Sequence, residues 1–218
     1  MSDVMTKTDE SETFSRARRA MIDSQLRPSG VNDGQLIAAI DAVGREAFLP
    51  EARRAVAYRD RSLDLSEGRF AMAPTPLFKL VDRLAPQAGE KILVAGPLAA
   101  YAGAVLARLG VDVVALDSAA ATGPDMERMA IATGPLDKGV ADEAPFDAIL
   151  IVGAIEQLSE ELTGQLAEKG RVAAAILSDG VTRLAIGRRS GEGVAFRTFA
   201  DAQVAPLGEF AKVRGFQF

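Results

Sequence analysis

The sequence has 218 residues, of which 48% are apolar and 25% are charged, a composition that excludes an intrinsically disordered chain. Lys and Arg number 25 against 30 Asp and Glu, so the formal charge is -5 and nucleic acid is not an expected partner. Cysteine and histidine are absent, which excludes disulfides, thiol nucleophiles, Ser-His triads and Cys/His zinc sites. We therefore expect no metal site, and proton transfer must use other groups.

The first 13 residues are polar and acidic, whereas a signal peptide has a basic stretch followed by an apolar one. The longest clear apolar run, residues 148–155, is too short to span a bilayer. We predict a flexible tail over residues 1–13, a cytoplasmic location and no membrane partner.

Residues 14–85 are predicted to form a helical lead-in segment. Apolar spacing indicates helices over 14–25 and 51–58, and a further helix that Asn32 would cap and 48–50 would close. Residues 63–72 look irregular or extended, and Pro74 opens a helix that runs to Leu84.

Residues 86–218 are predicted to form an α/β domain, packed with the helical segment as one unit. Continuous apolar runs indicate buried strands at 91–95, 111–116, 146–152 and 171–177, and helices at 97–109 and 158–168 lie between them. Two later strands, 184–188 and 195–199, look like a hairpin at the edge. This alternation is typical of a Rossmann-like, doubly wound, mostly parallel sheet.

A ligand of such a sheet binds at the carboxyl ends of the strands, beside the first strand-to-helix turn. That turn follows Ala95, and Asp117 ends the second strand 21 residues after Gly96. An acid at this place commonly binds ribose hydroxyls, so the spacing favours a nucleoside site. An aspartate at a strand end also commonly caps a turn or a helix, and both interpretations stay open.

Four segments occur in an order and spacing that resembles one known family. They are MIDSQL at 21–26, VGREAFLP at 43–50, APFDAILI at 144–151 followed by Gly-Ala at 153–154, and QLAEKGR at 165–171. Over residues 21–218 the chain resembles the protein-L-isoaspartate O-methyltransferase family. The resemblance implies a seven-stranded methyltransferase sheet, S-adenosylmethionine as the cofactor, and methylation of isoaspartyl carboxylates in damaged proteins. A protein or peptide is then the expected substrate or partner.

The resemblance places the cofactor at Gly96, Tyr101 and Asp117, but the cofactor loop departs from the family pattern D-x-G-x-G-x-G. The acid and two of the three glycines are replaced, by Val94, Leu98 and Ala100. Pro97 can start a helix directly, in which case the residues after it are ordinary helix formers. We expect the Leu98 side chain to project into the space that the family gives to the methionine part of the cofactor.

Two further departures lie on the adenine side. The family has an acid after the third strand, and Pro135 stands there in this chain. Only 11 residues separate Asp117 from Met129, fewer than a parallel crossover with a full helix requires. We therefore predict that the helix covering this connection is cut down or absent.

The substrate segment of the family, G-x-T-x-S-x-P, carries hydroxyls that Phe70 and Met72 replace in this chain. The catalytic positions of the family therefore match residues that cannot bind a carboxylate by hydrogen bonds. The neighbouring Arg69, directly before Phe70, could pair with a carboxylate, although a solvated surface arginine is the expected interpretation.

Two hypotheses remain. In the first, the coordinated replacements mark a pseudoenzyme that keeps the methyltransferase scaffold for a partner or another ligand. In the second, the chain is an active carboxyl methyltransferase, because transfer to an ionised carboxylate needs little acid–base chemistry. A dinucleotide-dependent oxidoreductase is disfavoured, since G-x-G-x-x-G is absent after the first strand.

Overall fold

The computed structural model describes residues 2–121 and 123–212. It opens on a long helix, α1 (Ser2–Met21), which continues as a π-helical turn over Ile22–Leu26. Residues 2–13 thus lie in a helix where the sequence predicts a flexible tail, and Met1 lies outside the described residues.

Three short helices and a small hairpin follow. They are α2 (Gly34–Ala42), α3 (Glu51–Arg54) and α4 (Pro74–Leu84), with the strands β1 (Leu63–Asp64) and β2 (Phe70–Ala71) between α3 and α4. The cap of α2 is Asp33 rather than the predicted Asn32, because the Asp33 side chain accepts the N–H of Leu36 at 2.8 Å.

A seven-stranded sheet forms the second half of the chain, as predicted. Its strands are β3 (Lys91–Ala95), β4 (Asp112–Asp117), β5 (Met129–Thr133), β6 (Phe146–Ile155), β7 (Leu166–Ser178), β8 (Val181–Ser190) and β9 (Gly193–Asp201). Their order in the sheet is β5-β4-β3-β6-β7-β8-β9, and only the pairings of β8 are antiparallel. The mostly parallel sheet and the edge hairpin are both confirmed.

Two helices of this half differ from their predicted limits. α5 (Ala99–Arg108) begins two residues later than the predicted helix, and α6 (Glu160–Gln165) ends where β7 already begins. The structure therefore places 166–168 in a strand, since Leu166 pairs with Phe146 of β6.

The connection between β4 and β5 contains no helix among its described residues, 118–121 and 123–128, as its length predicts. β5 is the edge strand of the sheet on this side, and Ile131 within it is exposed.

Each face of the sheet has its own apolar core. One core joins α2, α4 and α5 to side chains of β3 and β4, so the helical segment and the sheet pack together. The other contains α6 and the opposite side chains of the central strands, including Leu93 and Ile149. Among the described residues, no helix is long and apolar enough to cross a membrane.

Candidate functional site

The strand order reverses next to β3, because β4 and β5 lie on one side of it and β6 lies on the other. Ala95 at the end of β3 pairs with Leu116 near the end of β4 and with Ile151 of β6, which continues to Ile155. Such a switch point opens a crevice at the carboxyl ends of the strands, which is where ligands of open α/β sheets bind.

Gly96 forms the first residue of the turn after β3. Its φ is 137°, and a Cβ atom there would lie 2.6 Å from the carbonyl oxygen of Val152 on β6. Both the conformation and the close approach to a neighbouring backbone require glycine. This is the one glycine of the loop pattern that the chain keeps.

Leu98 adopts the left-handed conformation, with φ at 65° and ψ at 27°, and α5 begins only after it. The prediction that Pro97 starts a helix directly is therefore wrong. The turn keeps a backbone that suits glycine, and a leucine in it costs about 1–2 kcal/mol. Ala100, by contrast, lies in the first turn of α5 without strain, as predicted for a helix former.

Asp117 ends β4 directly beside this turn, and only 4% of its surface is exposed. Its Oδ2 accepts the backbone N–H of Leu98 at 3.0 Å, and its Oδ1 accepts that of Ala119 at 3.2 Å. Oδ1 also accepts from Nη2 of Arg69 at 2.5 Å. The carboxylate thus caps its own turn, as one of the two interpretations predicts, and in addition forms a partly buried ion pair.

Arg69 belongs to the hairpin of β1 and β2, residues 63–71, which we call the strap. The turn of the strap holds three consecutive residues at positive φ, Ser66 at 80°, Glu67 at 55° and Gly68 at 73°. The Arg69 side chain is only 23% exposed, so the expectation of a solvated surface arginine is wrong. Its Nε atom is buried and has no hydrogen-bond partner among the described residues.

Arg69 lines two cavities, and Asp117 lines the smaller of them. The smaller has a volume of about 80 Å³ and is lined by Phe48, Leu65, Leu98, Arg69 and Asp117, among others. The larger has a volume of about 320 Å³, and Arg69, Phe70, Pro97, Ser118 and Leu207 contribute to its walls. Ligand sites for small molecules usually enclose about 300–1,000 Å³, so the cavity beside the Asp117 carboxylate is too small for a nucleoside.

Phe70 and Met72, the two positions that match the substrate segment of the family, lie in different surroundings. Phe70 is 40% exposed and lines the larger cavity, whereas Met72 is buried in the core. The carbonyl oxygen of Met72 accepts from Nη2 of Arg45 at 2.7 Å. The structure therefore does not bring these two side chains together around one ligand.

The other replaced positions differ in their surroundings: Ala100 lines the smaller cavity, whereas Val94 and Pro135 line neither. Val94 is fully buried in the sheet, where it contributes to the core on the α5 side. Pro135 precedes a 3-10 turn over Leu136–Lys138, and Leu136 itself lines the larger cavity.

Tyr101 also lies outside both cavities. It is fully buried between the rings of Phe48 and Phe78, at centroid distances of 5.8 and 5.9 Å, and Arg45 lies 5.4 Å from its ring centroid. The hydroxyl has no partner among the described residues, and burial raises the pKa of Tyr101 to about 12. Of the three predicted cofactor residues, the structure brings Gly96 and Asp117 together and places Tyr101 in the core.

A segment near the carboxyl terminus also covers the site, and the sequence offers no signal for it. The N–H of Ala154 donates to Ala205 at 2.9 Å, and the N–H of Leu207 donates to Ala154 at 2.8 Å. The Leu207 side chain packs against Gly153 so closely that any Cβ there would clash with it. The segment around Ala205 and Leu207 therefore covers the end of β6.

The comparisons with known proteins are consistent with this architecture. The sequence profile described as Protein-L-isoaspartate(D-aspartate) O-methyltransferase matches residues 16–209. The chain belongs to this family. The resemblance seen in the sequence is thereby confirmed over nearly the whole chain.

Members of the protein-L-isoaspartate O-methyltransferase family from several bacteria are similar at about the same level. The enzyme of Methylorubrum extorquens is 32% identical over 211 residues, which cover 93% of this chain and 92% of the relative. The enzyme of Herpetosiphon aurantiacus is 30% identical over 206 residues, which cover 90% of this chain and 92% of that protein.

Solved structures of the same family share the fold. One protein-L-isoaspartate O-methyltransferase superimposes with a TM-score of 0.70 at 18% identity and covers 88% of this chain and 66% of that one. A Plasmodium falciparum protein, described as a complex with S-adenosyl-L-homocysteine, superimposes with a TM-score of 0.68 at 18% identity, over 88% of this chain and 98% of its own.

Proposed function

We propose that this member of the protein-L-isoaspartate O-methyltransferase family has an impaired methyl-donor site. Methylation of isoaspartyl carboxylates is then weak or lost, and the scaffold acts as a pseudoenzyme that binds a protein or peptide partner. One observation carries the proposal: the carboxylate of Asp117 already has a partner on each oxygen, Arg69 on Oδ1 and Leu98 on Oδ2.

S-adenosylmethionine is the donor that the family implies, and Gly96 and Asp117 are the residues that would hold it. In the present arrangement of side chains they do not fit it. A ribose needs free acceptor positions on the acid, and the cavity beside that acid has a volume of only about 80 Å³. The Leu98 side chain lines the same cavity, which supports the expectation that it takes space from the donor.

A second candidate, an active carboxyl methyltransferase, is favoured by the backbone of the turn. Gly96 and Leu98 keep positive φ, so the main chain has the form that a glycine-rich loop would adopt. Methyl transfer to an anionic oxygen relies mainly on proximity and orientation, worth up to about 7–11 kcal/mol, and this needs neither histidine nor cysteine. What decides between the candidates is the affinity for the donor.

Calorimetry with S-adenosylhomocysteine and a methylation assay on an isoaspartyl peptide test the proposal, with the Methylorubrum extorquens relative as the positive control. We expect this chain to bind with a dissociation constant of roughly a millimolar, about −4 kcal/mol, and to methylate far more slowly than the control. Micromolar binding together with methylation at the rate of the control would contradict the proposal and support the second candidate.

A further inference from the structure

We propose that the strap, residues 63–71, is an autoinhibitory latch that closes the nucleoside groove of this protein by seating Arg69 on Asp117. The inference rests on the proposed function, because it explains why the donor site is impaired. The latch adds a conformational cause for weak donor binding, because opening the Arg69–Asp117 ion pair would restore access to Asp117.

The ion pair occupies the acceptor atom that a ribose hydroxyl would use. Nη2 of Arg69 lies 2.5 Å from Oδ1 of Asp117, and the two side chains are 23% and 6% exposed. An ion pair at this burial is stronger than the bond that an uncharged hydroxyl would donate to the same carboxylate. With the N–H of Ala119 also on Oδ1, this oxygen has no acceptor site left, so a ribose cannot use both carboxylate oxygens unless Arg69 leaves first.

The same pair divides the groove. Arg69 lines both cavities, and the turn after β3 contributes Leu98 to the smaller one and Pro97 to the larger one. At the end of β4, Asp117 lines the smaller cavity and Ser118 lines the larger one. Displacing the guanidinium would join the two cavities into one groove that runs along the strand ends, where a nucleoside binds in this class of sheet.

The turn of the strap can move while its two ends stay in the core, where Leu63 and Ala71 are buried. Ser66 and Glu67 hold positive φ without being glycine, which costs of order 1–3 kcal/mol per residue. Three hydrogen bonds also hold the turn: the N–H of Leu65 donates to the carbonyl of Arg69 at 2.9 Å, the N–H of Arg69 to the carbonyl of Ser66 at 3.0 Å, and the N–H of Ser66 to Oδ1 of Asp64 at 2.8 Å. The ion pair adds to these bonds in keeping a strained turn in place, and opening relieves part of the strain.

The latch can be tested by the affinity of the full chain for S-adenosylhomocysteine with and without the arginine. Arg69→Ala removes the latch, and Arg61→Ala removes an equal charge from an exposed position outside the strap. If the closed form outweighs the open form by about ten to one, Arg69→Ala will bind about tenfold more tightly than the parent chain. Arg61→Ala will bind as the parent does.

The outcomes separate the latch from the proposed function. Equal or weaker binding by Arg69→Ala would overturn the latch and leave an impaired donor site standing. Micromolar binding by the parent chain itself, unchanged in Arg69→Ala, would overturn both. Undetectable binding by both chains at millimolar ligand would overturn the nucleoside groove, and the latch with it.

Hydrogen exchange gives a second measurement that needs no substitution. Saturating S-adenosylhomocysteine will speed exchange of the amides of Leu65 and Arg69, because the strap must open, and will slow exchange of the amide of Leu98 beside the ligand. A merely structural ion pair predicts slower exchange at all three amides. Slower or unchanged exchange in the strap would overturn the proposal even if a variant failed to fold.

Discussion

The backbone N–H of Leu98 donates to Oδ2 of Asp117 at 3.0 Å, from a left-handed conformation with φ at 65°. The bond joins the turn after β3 to the end of β4, and it exists only because the chain does not enter the helix at Pro97. The cost of placing a leucine at positive φ is therefore offset by a bond to a buried carboxylate. This relationship makes Leu98 the position where the loop can be tested most directly.

Leu98→Gly will improve nucleoside binding while keeping the turn. Glycine adopts this conformation without strain and removes the side chain that lines the smaller cavity. The relief of about 1–2 kcal/mol is offset by lost packing and by the flexibility that glycine adds to the unfolded chain. We expect a stability close to that of the parent and a larger thermal shift with S-adenosylhomocysteine.

Ala102→Gly is the matched control, because Ala102 lies in α5 outside both cavities, whereas Ala100 lines the smaller one. Ala102 has an ordinary helical conformation, so glycine there lowers the free energy of unfolding by about 0.5–1 kcal/mol. We expect no gain in ligand binding from it. A gain equal to that of Leu98→Gly would contradict the importance that we assign to residue 98.

Gly96→Ala will destabilise the protein strongly. The new Cβ would meet the carbonyl oxygen of Val152 at 2.6 Å, and the φ of 137° is one that alanine rarely adopts. Neither backbone can shift without disturbing the pairing of β3 with β6, so we expect a loss of about 2–4 kcal/mol in the free energy of unfolding.

Gly34→Ala serves as the control for this substitution. Gly34 begins α2, and a Cβ there would meet nothing within 4 Å. Chemical denaturation will show a stability equal to the parent or higher by about 0.5–1 kcal/mol. A loss at Gly34 as large as that at Gly96 would mean that the close approach to Val152 is not the cause.

Much of the fold could be predicted because the elements concerned are specified locally. The structure gives β3 and α4 the predicted limits, since β3 is a short apolar run after a glycine and α4 opens on Pro74 and ends before Ala85 at positive φ. The predicted limits of α6 and β7 were wrong because a contact between distant parts of the chain decides them. Leu166 pairs with β6, and this pairing overrides the helical pattern of 166–168.

The site could be predicted only in part. The positions of Gly96 and Asp117 follow from the spacing of strand ends, which the sequence shows. The partner of Arg69 does not, because it lies 48 positions along the chain and no local pattern marks the pair. The conformation of Leu98 was missed for a similar reason: the contact of Gly96 with Val152 and the bond to Asp117 decide it, and helix propensity at Pro97 does not.

The two tyrosines of the chain will respond in opposite ways to loss of the hydroxyl. Tyr101→Phe removes a buried group without a partner among the described residues, so we expect equal or higher stability at neutral pH. Tyr58→Phe removes a hydroxyl that donates to Glu46 and accepts from the backbone N–H of Arg45 at 3.1 Å. We expect it to lower the free energy of unfolding by about 1–3 kcal/mol.

Tyr101 also predicts a loss of stability at alkaline pH. Burial raises the pKa of Tyr101 to about 12, above the value of about 10 in an unfolded chain, so the folded state favours the protonated form. The contribution of this pKa difference to the free energy of unfolding is fully present below pH 10. It is lost as the pH rises towards 12, by up to about 2–3 kcal/mol. Denaturation curves at pH 7 and pH 11 will show a smaller loss in Tyr101→Phe than in the parent. An equal loss would show that Tyr101 does not titrate with unfolding.

Gly153 and Leu207 will show strong coupling in a double-mutant cycle. Gly153→Ala places a methyl group where the Leu207 side chain already lies, and we expect a loss of about 1–3 kcal/mol from overpacking. Leu207→Ala in the same chain gives that methyl group room, so the double variant will be more stable than the sum of the single losses predicts, by about 1–2 kcal/mol.

Gly208→Ala provides the comparison for this cycle, because a Cβ at Gly208 meets nothing within 4 Å. We expect it to leave stability nearly unchanged and to show no coupling with Gly153→Ala. Additive losses for Gly153 and Leu207 would contradict the close packing of the two residues. The backbone bonds of Ala154 with Ala205 and Leu207 alone would then hold the segment after β9 over the end of β6.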